Sequence, residues 1–158
     1  MARSARPWVG AETRLLTEWV AAFHPAATAH FQARLGAIET PPTLPDPTPA
    51  QLRLLGNYRR KVDCILAYPD SVYLVEAAIL PDPAKMGQLE YYLDLFPMTP
   101  EFADLVHLPR RGVLLVAQDE APLRARAEWK DLLWVVYQPL WVGAYLVERI
   151  PRRNPIPA

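Results

Sequence analysis

Apolar residues recur at helical spacing near the start of the chain. Within residues 11–23, five of them fall on one face of a helix: Leu15, Leu16, Trp19, Val20 and Phe23. Pro25 ends this helix, because proline cannot donate a hydrogen bond inside a helix and restricts the residue before it. The next segment predicts a second helix over 26–36 that stops at Gly36.

Prolines then interrupt the pattern. Five of them occur within residues 40–49, which is therefore predicted to be an extended tether and neither a helix nor a central strand. At its end, Thr48 is a typical helix N-cap, and Pro49 suits the first helical position. This pair predicts a short helix that runs through Leu55.

Alternating apolar positions take over after residue 60. They predict a hairpin with strands Lys61–Tyr68 and Val72–Ile79 and a turn at 69–71. The elements predicted beyond it are a helix from 83 to about 95 capped by Asp82, a short helix at 100–106, a strand at 111–117, a helix at 120–130, a strand at 132–137 and an edge strand at 141–147. This order predicts one α/β domain over 1–150, with a mixed central sheet under helical cover, followed by a tail at 151–158 rich in proline and arginine.

Composition narrows the classes of function. The chain has 158 residues, of which 51% are hydrophobic, and its 17 basic and 17 acidic residues give a net charge of zero. The balance argues against a strongly basic protein that coats nucleic acid. The N-terminus lacks the apolar run of a signal peptide, and no apolar segment approaches the roughly 20 residues of a membrane span. We therefore expect no membrane partner, and a cytoplasmic or virion location.

Two acidic residues interrupt the predicted hairpin. Because side chains alternate across a strand, a turn centred on 69–71 puts Asp63 and Glu76 on one face, directly paired or one diagonal step apart. Two carboxylates this close repel unless a cation lies between them or one is protonated. Their hard oxygens suit Mg²⁺ or Mn²⁺, which can activate water against a phosphodiester.

The spacing of these acids resembles a known family. Asp63, then twelve residues, Glu76-x-Ala78 and a helix with Gln88-x-x-x-Tyr92 resemble the PD-(D/E)XK nuclease superfamily, closest to its RecB-like and phage exonuclease branch. The resemblance covers about residues 11–118 and implies a restriction-endonuclease-like core. The roles that it implies are metal ligation by Asp63, Glu76, the carbonyl of Ala77 and a glutamate of the upstream helix, Glu12 or Glu18, and DNA contact or support of the site by Gln88 and Tyr92.

One position departs from the family. The lysine that orients the attacking water falls on Ala78, which cannot replace it. Lys85 shares a helix face with the Gln-x-x-x-Tyr motif, and Lys61 shares the strand face of Asp63, so either can supply the amine. Arg59 and Arg60 start the same strand and can hold DNA phosphates, although solvated strand ends often carry such residues.

Two functions follow from these features. The neutral charge and Ala78 favour a nuclease-derived, phage-related protein with impaired catalysis, which binds a partner or assembles in a virion, for example at a head–tail connection. Its partners are then homo-oligomeric copies or other virion proteins. The retained acids and the Gln-x-x-x-Tyr motif favour an active Mg²⁺- or Mn²⁺-dependent DNA nuclease. The first is slightly preferred on the sequence.

Overall fold

A computed structural model of the protein describes residues 10–149. Its helices are α1 (Ala11–Phe23), α2 (Pro49–Asn57), α3 (Pro83–Leu95), α4 (Ala121–Trp129) and α5 (Trp141–Arg149). Its strands are β1 (Thr28–Leu35), β2 (Arg60–Ala67), β3 (Val72–Ala78), β4 (Arg110–Val116) and β5 (Leu133–Val136), and two 3₁₀ turns span Phe96–Met98 and Pro100–Leu105. Met1–Val9 and residues 150–158 lie outside the described part, and so does the predicted tail at 151–158.

The strands form one mixed sheet in the order β1-β2-β3-β4-β5. β1, β2 and β3 are antiparallel neighbours, whereas β4 and β5 continue the sheet in parallel with β3. A hairpin joins β2 to β3, while α3 provides the longer connection that a parallel neighbour requires. The predicted α/β class with a mixed central sheet and helical cover is confirmed.

Helices bury both faces of the sheet. One core contains residues of α1, α5 and the sheet, among them Leu15, Trp19, Val75, Leu115 and Val142. The other contains residues of α3, α4, the 3₁₀ turns and the opposite sheet face, among them Leu74, Leu89, Phe96, Leu114 and Ala127. Because both faces are covered, β3 and β4 consist almost wholly of buried residues.

Local signals place two of the helices. Thr48 and Gln51 form the reciprocal hydrogen bonds of a capping box at the start of α2. Asp82 caps α3 by accepting a hydrogen bond from the backbone N–H of Ala84, with Pro83 in the first turn. The segment at 40–48, before α2, contains no helix or strand, as the prolines predict.

Two predicted elements are wrong. The segment 26–36 is not a helix but contains the edge strand β1, because its backbone pairs with β2 and this pairing overrides the helical preference of its alanines. The segment 141–147 is not an edge strand but belongs to α5. Its four inward side chains have helical spacing, which places them together on the α1 core: Trp141, Val142, Tyr145 and Leu146.

Two further observations bear on the predictions. Phe23, expected on the inner face of α1, is 61% exposed at the end of that helix. Within residues 10–149, no helix combines the length and the apolar character needed to cross a membrane.

Candidate active site

The candidate site lies where β2 separates from β3. Backbone pairing between these strands runs from Ala67 opposite Val72 to Cys64 opposite Val75, a register that puts Asp63 across from Glu76. At this position, side-chain carboxylates replace backbone carbonyl oxygens as the acceptors of hydrogen bonds between the two strands. The N–H of Asp63 donates to Glu76 Oε1 at 3.1 Å, and the N–H of Ala77 donates to Asp63 Oδ2 at 2.9 Å. Both carboxylates are therefore fixed by backbone groups on the facing strand.

Lys85 brings a positive charge to these acids from the first turns of α3. Its Nζ donates to the carbonyl oxygen of Ala77 at 2.7 Å and to Glu76 Oε2 at 3.3 Å, and lies 3.5 Å from Asp63 Oδ2. The carboxylate of Glu12 in α1 lies slightly farther away, with Oε2 3.8 Å from the same Nζ. We refer to Asp63, Glu76 and Lys85 as the acid–lysine cluster.

Burial dominates the electrostatics of the cluster. Glu76 is 3% exposed, and its desolvation, aided by the charge of Asp63, raises its pKa to about 7 despite the opposing effect of Lys85. Burial also disfavours the charge of Lys85, but the carboxylates around its Nζ outweigh this and raise its pKa. Near neutral pH the cluster therefore holds a charged ammonium beside an acid that can exchange a proton.

Gln32 of β1 supports the cluster from the other side of Asp63. Its Nε2 donates to Asp63 Oδ1 at 3.3 Å. Its backbone adopts φ 51°, a left-handed conformation that is uncommon for a residue other than glycine and costs on the order of 1 kcal/mol. Beside it, a cavity of about 200 Å³ is lined by Glu12, Phe31 and Asp63, among others. Gln32 could not be predicted as a site residue from the sequence, because the segment 26–36 around it is predicted to form a helix.

The other predicted ligands and amines lie elsewhere. Glu18 accepts hydrogen bonds from Arg14 at 2.7 Å and from the indole of Trp141 at 2.8 Å, which together lower its pKa. Of the two glutamates of α1 named from the sequence, Glu12 approaches the cluster, whereas Glu18 is held by Arg14 and Trp141. Lys61 is exposed on β2, and in the described part of the chain only Lys85 forms ion pairs with Asp63 and Glu76.

The predicted DNA-binding residues divide into two groups. Gln88 and Arg60 are exposed and available to a ligand. Tyr92 is 8% exposed, and burial together with the charge of Glu76 raises its pKa. The guanidinium of Arg59 is held by the carboxylate of Glu101, so it braces the fold and the structure corrects its assignment as a phosphate contact.

The oxygen donors of the cluster suit a hard divalent cation. Within residues 10–149, no group of three or more histidine, cysteine, aspartate or glutamate side chains is arranged as a metal site. Two carboxylates and the carbonyl of Ala77 nevertheless converge on Lys85 Nζ. Such a set of oxygens fits Mg²⁺ or Mn²⁺. The ammonium of Lys85 contacts the same oxygens that such an ion would bind.

Fold and site together define a single-domain α/β protein with a buried acid pair and a lysine where two strands separate. Comparisons with protein-family models, with curated proteins and with solved structures found no match.

Proposed function

We propose that the protein is a metal-dependent DNA nuclease built on a restriction-endonuclease-like core. The observation that carries this proposal is the position of Lys85 Nζ, 3.3 Å from Glu76 Oε2 and 3.5 Å from Asp63 Oδ2. The amine missing at Ala78 is thus supplied from α3, next to the two acids that the family resemblance assigns to metal binding. Of the two lysines considered from the sequence, the geometry favours Lys85 over Lys61.

Each member of the site has a role in this proposal. Asp63, Glu76 and the carbonyl of Ala77 would hold Mg²⁺ or Mn²⁺, and Glu12 approaches the same site, with Oε2 3.8 Å from Lys85 Nζ. A bound ion would supply Lewis-acid stabilisation of the phosphate and lower the pKa of bound water. The ammonium of Lys85 orients the attacking water and offsets the negative charge that develops on the phosphate. Gln32 holds Asp63 in place.

A second function is favoured by the same ion pairs. Lys85 already neutralises the buried acids, so the acid–lysine cluster is a satisfied network that can persist without catalysis. On this alternative, the protein is a phage-related binding or virion-assembly component, and Ala78 marks the loss of activity.

The deciding experiment measures cleavage of linear double-stranded and single-stranded DNA by the full chain with Mg²⁺, with Mn²⁺ and with EDTA. We expect cleavage with either ion, and a loss on the order of 100- to 1000-fold in Glu76→Gln and in Lys85→Met. Lys61→Met is the matched control and should cleave as the wild type does. Absence of metal-dependent cleavage would contradict the nuclease proposal. A discrete oligomer that forms equally well in both cluster variants would then support the assembly function.

A further inference from the structure

A groove with exposed tyrosines lies beside the end of β2. Its volume is about 310 Å³, and its lining includes Tyr58, Arg60, Tyr91, Leu95 and Met98, which define what we call the tyrosine groove. Tyr58 is 88% exposed and Tyr91 is 52% exposed. Large aromatic side chains presented to solvent around a concavity are typical of a binding surface rather than a core.

Two independent paths relate the tyrosine groove to the acid–lysine cluster. Along β2, Arg60 precedes Asp63 by three residues, which is about 10 Å in a strand. Along α3, Tyr91 follows Lys85 by six residues, which is about 9 Å in a helix. Tyr92 is near both, since the charges of Arg60 and Glu76 both act on its hydroxyl. The groove therefore adjoins the cluster.

The groove offers one exposed positive charge to a phosphate. Arg60 lies on its lining and is exposed. Arg59 also lines the groove, but its guanidinium is bound by Glu101 and is not offered to a ligand. Glu39, on the lining too, opposes a phosphate on its own side. A phosphate backbone is thus directed to the Arg60 side, with its bases towards the tyrosines.

We propose that the tyrosine groove binds single-stranded DNA and leads it to the acid–lysine cluster, an inference that rests on the proposed nuclease function. Tyr58 and Tyr91 stack on unpaired bases, and Arg60 binds the adjoining phosphate. Stacking of this kind requires bases whose faces are free, and every base offers such a face. The substrate class is therefore a single strand, or the unpaired end of a duplex, without strong sequence preference.

Fluorescence anisotropy tests this binding without cleavage. The full chain is titrated into a labelled oligothymidine, and separately into a duplex of the same length, in buffer with EDTA. We expect tighter binding of the single strand. Tyr58→Ala and Tyr91→Ala should each weaken it by about five- to 100-fold, because stacking contributes on that scale per base. Tyr91→Phe should bind as the wild type does, since phenylalanine retains the stacking face.

An exposed aromatic residue outside the groove provides the matched control. Trp129 is 83% exposed on α4, and Trp129→Ala should leave the affinity for the single strand unchanged. Equal affinities for duplex and single strand, or tyrosine variants that bind as the wild type, would overturn the inference. A change of oligomeric state in the tyrosine variants would also overturn it, because the groove would then be a contact between copies of the chain.

The binding measurement and the cleavage measurement can fail separately. If the single strand binds through the tyrosines but no DNA is cut with either metal, the groove stands and the nuclease proposal fails. If DNA is cut while the tyrosine variants bind and cut as the wild type, the nuclease proposal stands and the groove fails.

Discussion

Replacing Glu76 with glutamine removes one charge from the buried acid pair and nearly preserves the shape of the side chain. Glutamine is neutral like the protonated acid and keeps one oxygen that can accept the N–H of Asp63, so the substitution imposes the neutral state that burial favours at every pH. Glu76 is 3% exposed, and its pKa lies at about 7 instead of the ordinary 4.5. We therefore expect Glu76→Gln to gain stability relative to the wild type as the pH rises, although it removes a residue of the candidate active site.

The expected gain follows from the difference in pKa. Between pH 4.5 and 7 the unfolded chain has lost the proton of Glu76 while the native protein retains it. The free energy of unfolding therefore falls by about 1.4 kcal/mol per pH unit in this window, and by roughly 3 kcal/mol in total. Above pH 7 the loss is complete, and below pH 4.5 it vanishes. Lys85 does not titrate in this window, because its pKa is raised above the ordinary 10.5.

Urea unfolding in EDTA buffer at pH 4, 6 and 8 measures this effect. We expect the unfolding free energy of the variant, measured relative to that of the wild type, to increase by roughly 3 kcal/mol between pH 4 and pH 8. Glu101→Gln is a control that should have the opposite effect on stability. The hydrogen bond from Arg59 lowers the pKa of Glu101, so the charged carboxylate stabilises the fold and its replacement should destabilise it. A stability difference between Glu76→Gln and the wild type that stays constant from pH 4 to pH 8 would refute this reasoning.

Three further substitutions test other features by thermal or urea unfolding. Lys85→Met leaves the buried acids without their cation and should lower the unfolding free energy by about 3–5 kcal/mol at pH 8, and an unchanged value would contradict the ion pairs. Gln32→Gly relieves the left-handed backbone, so the melting temperature should rise by about 2–4 °C while metal-dependent cleavage decreases. Asp131→Gly is the control for this substitution, because Asp131 also has a positive φ, of 57°. It should change the melting temperature and leave metal-dependent cleavage unchanged. Gly112→Ala places a Cβ 2.7 Å from Leu89 Cγ and should destabilise by about 1–3 kcal/mol, which a wild-type urea midpoint would disprove.

The hairpin and the helix after it can be predicted from the sequence because their signals are local. Alternating residues and a turn at 69–71 fix the register that puts Asp63 across from Glu76. Asp82 and Pro83 then start α3 where the sequence predicts, and the helical repeat places Lys85, Gln88 and Tyr92 on one side of it. The core of the candidate site therefore follows from short stretches of sequence.

The rest of the site depends on contacts between distant segments. β1 is a strand because β2 pairs with it, and the residues of β1 alone favour a helix. The left-handed backbone of Gln32, which lies between the paired residues Phe31 and Ala33, has no signal in the sequence. Glu12 and Glu18 are both acids of α1, and the choice between them depends on how that helix packs. Trp141 settles it by binding Glu18 from α5, more than a hundred residues away.

The separation of β2 from β3 connects the fold to the proposed chemistry. In a regular sheet, the N–H and the carbonyl oxygen of Ala77 would bond to the backbone of the neighbouring strand. Here the N–H binds the carboxylate of Asp63 and the carbonyl oxygen binds Lys85. The sheet thus exchanges backbone hydrogen bonds for charged contacts at one position, with a strained Gln32 on the other side of the same aspartate. A sheet that served only as a scaffold would gain stability by keeping its ladder, so this local distortion supports the proposed nuclease over an inert ion pair.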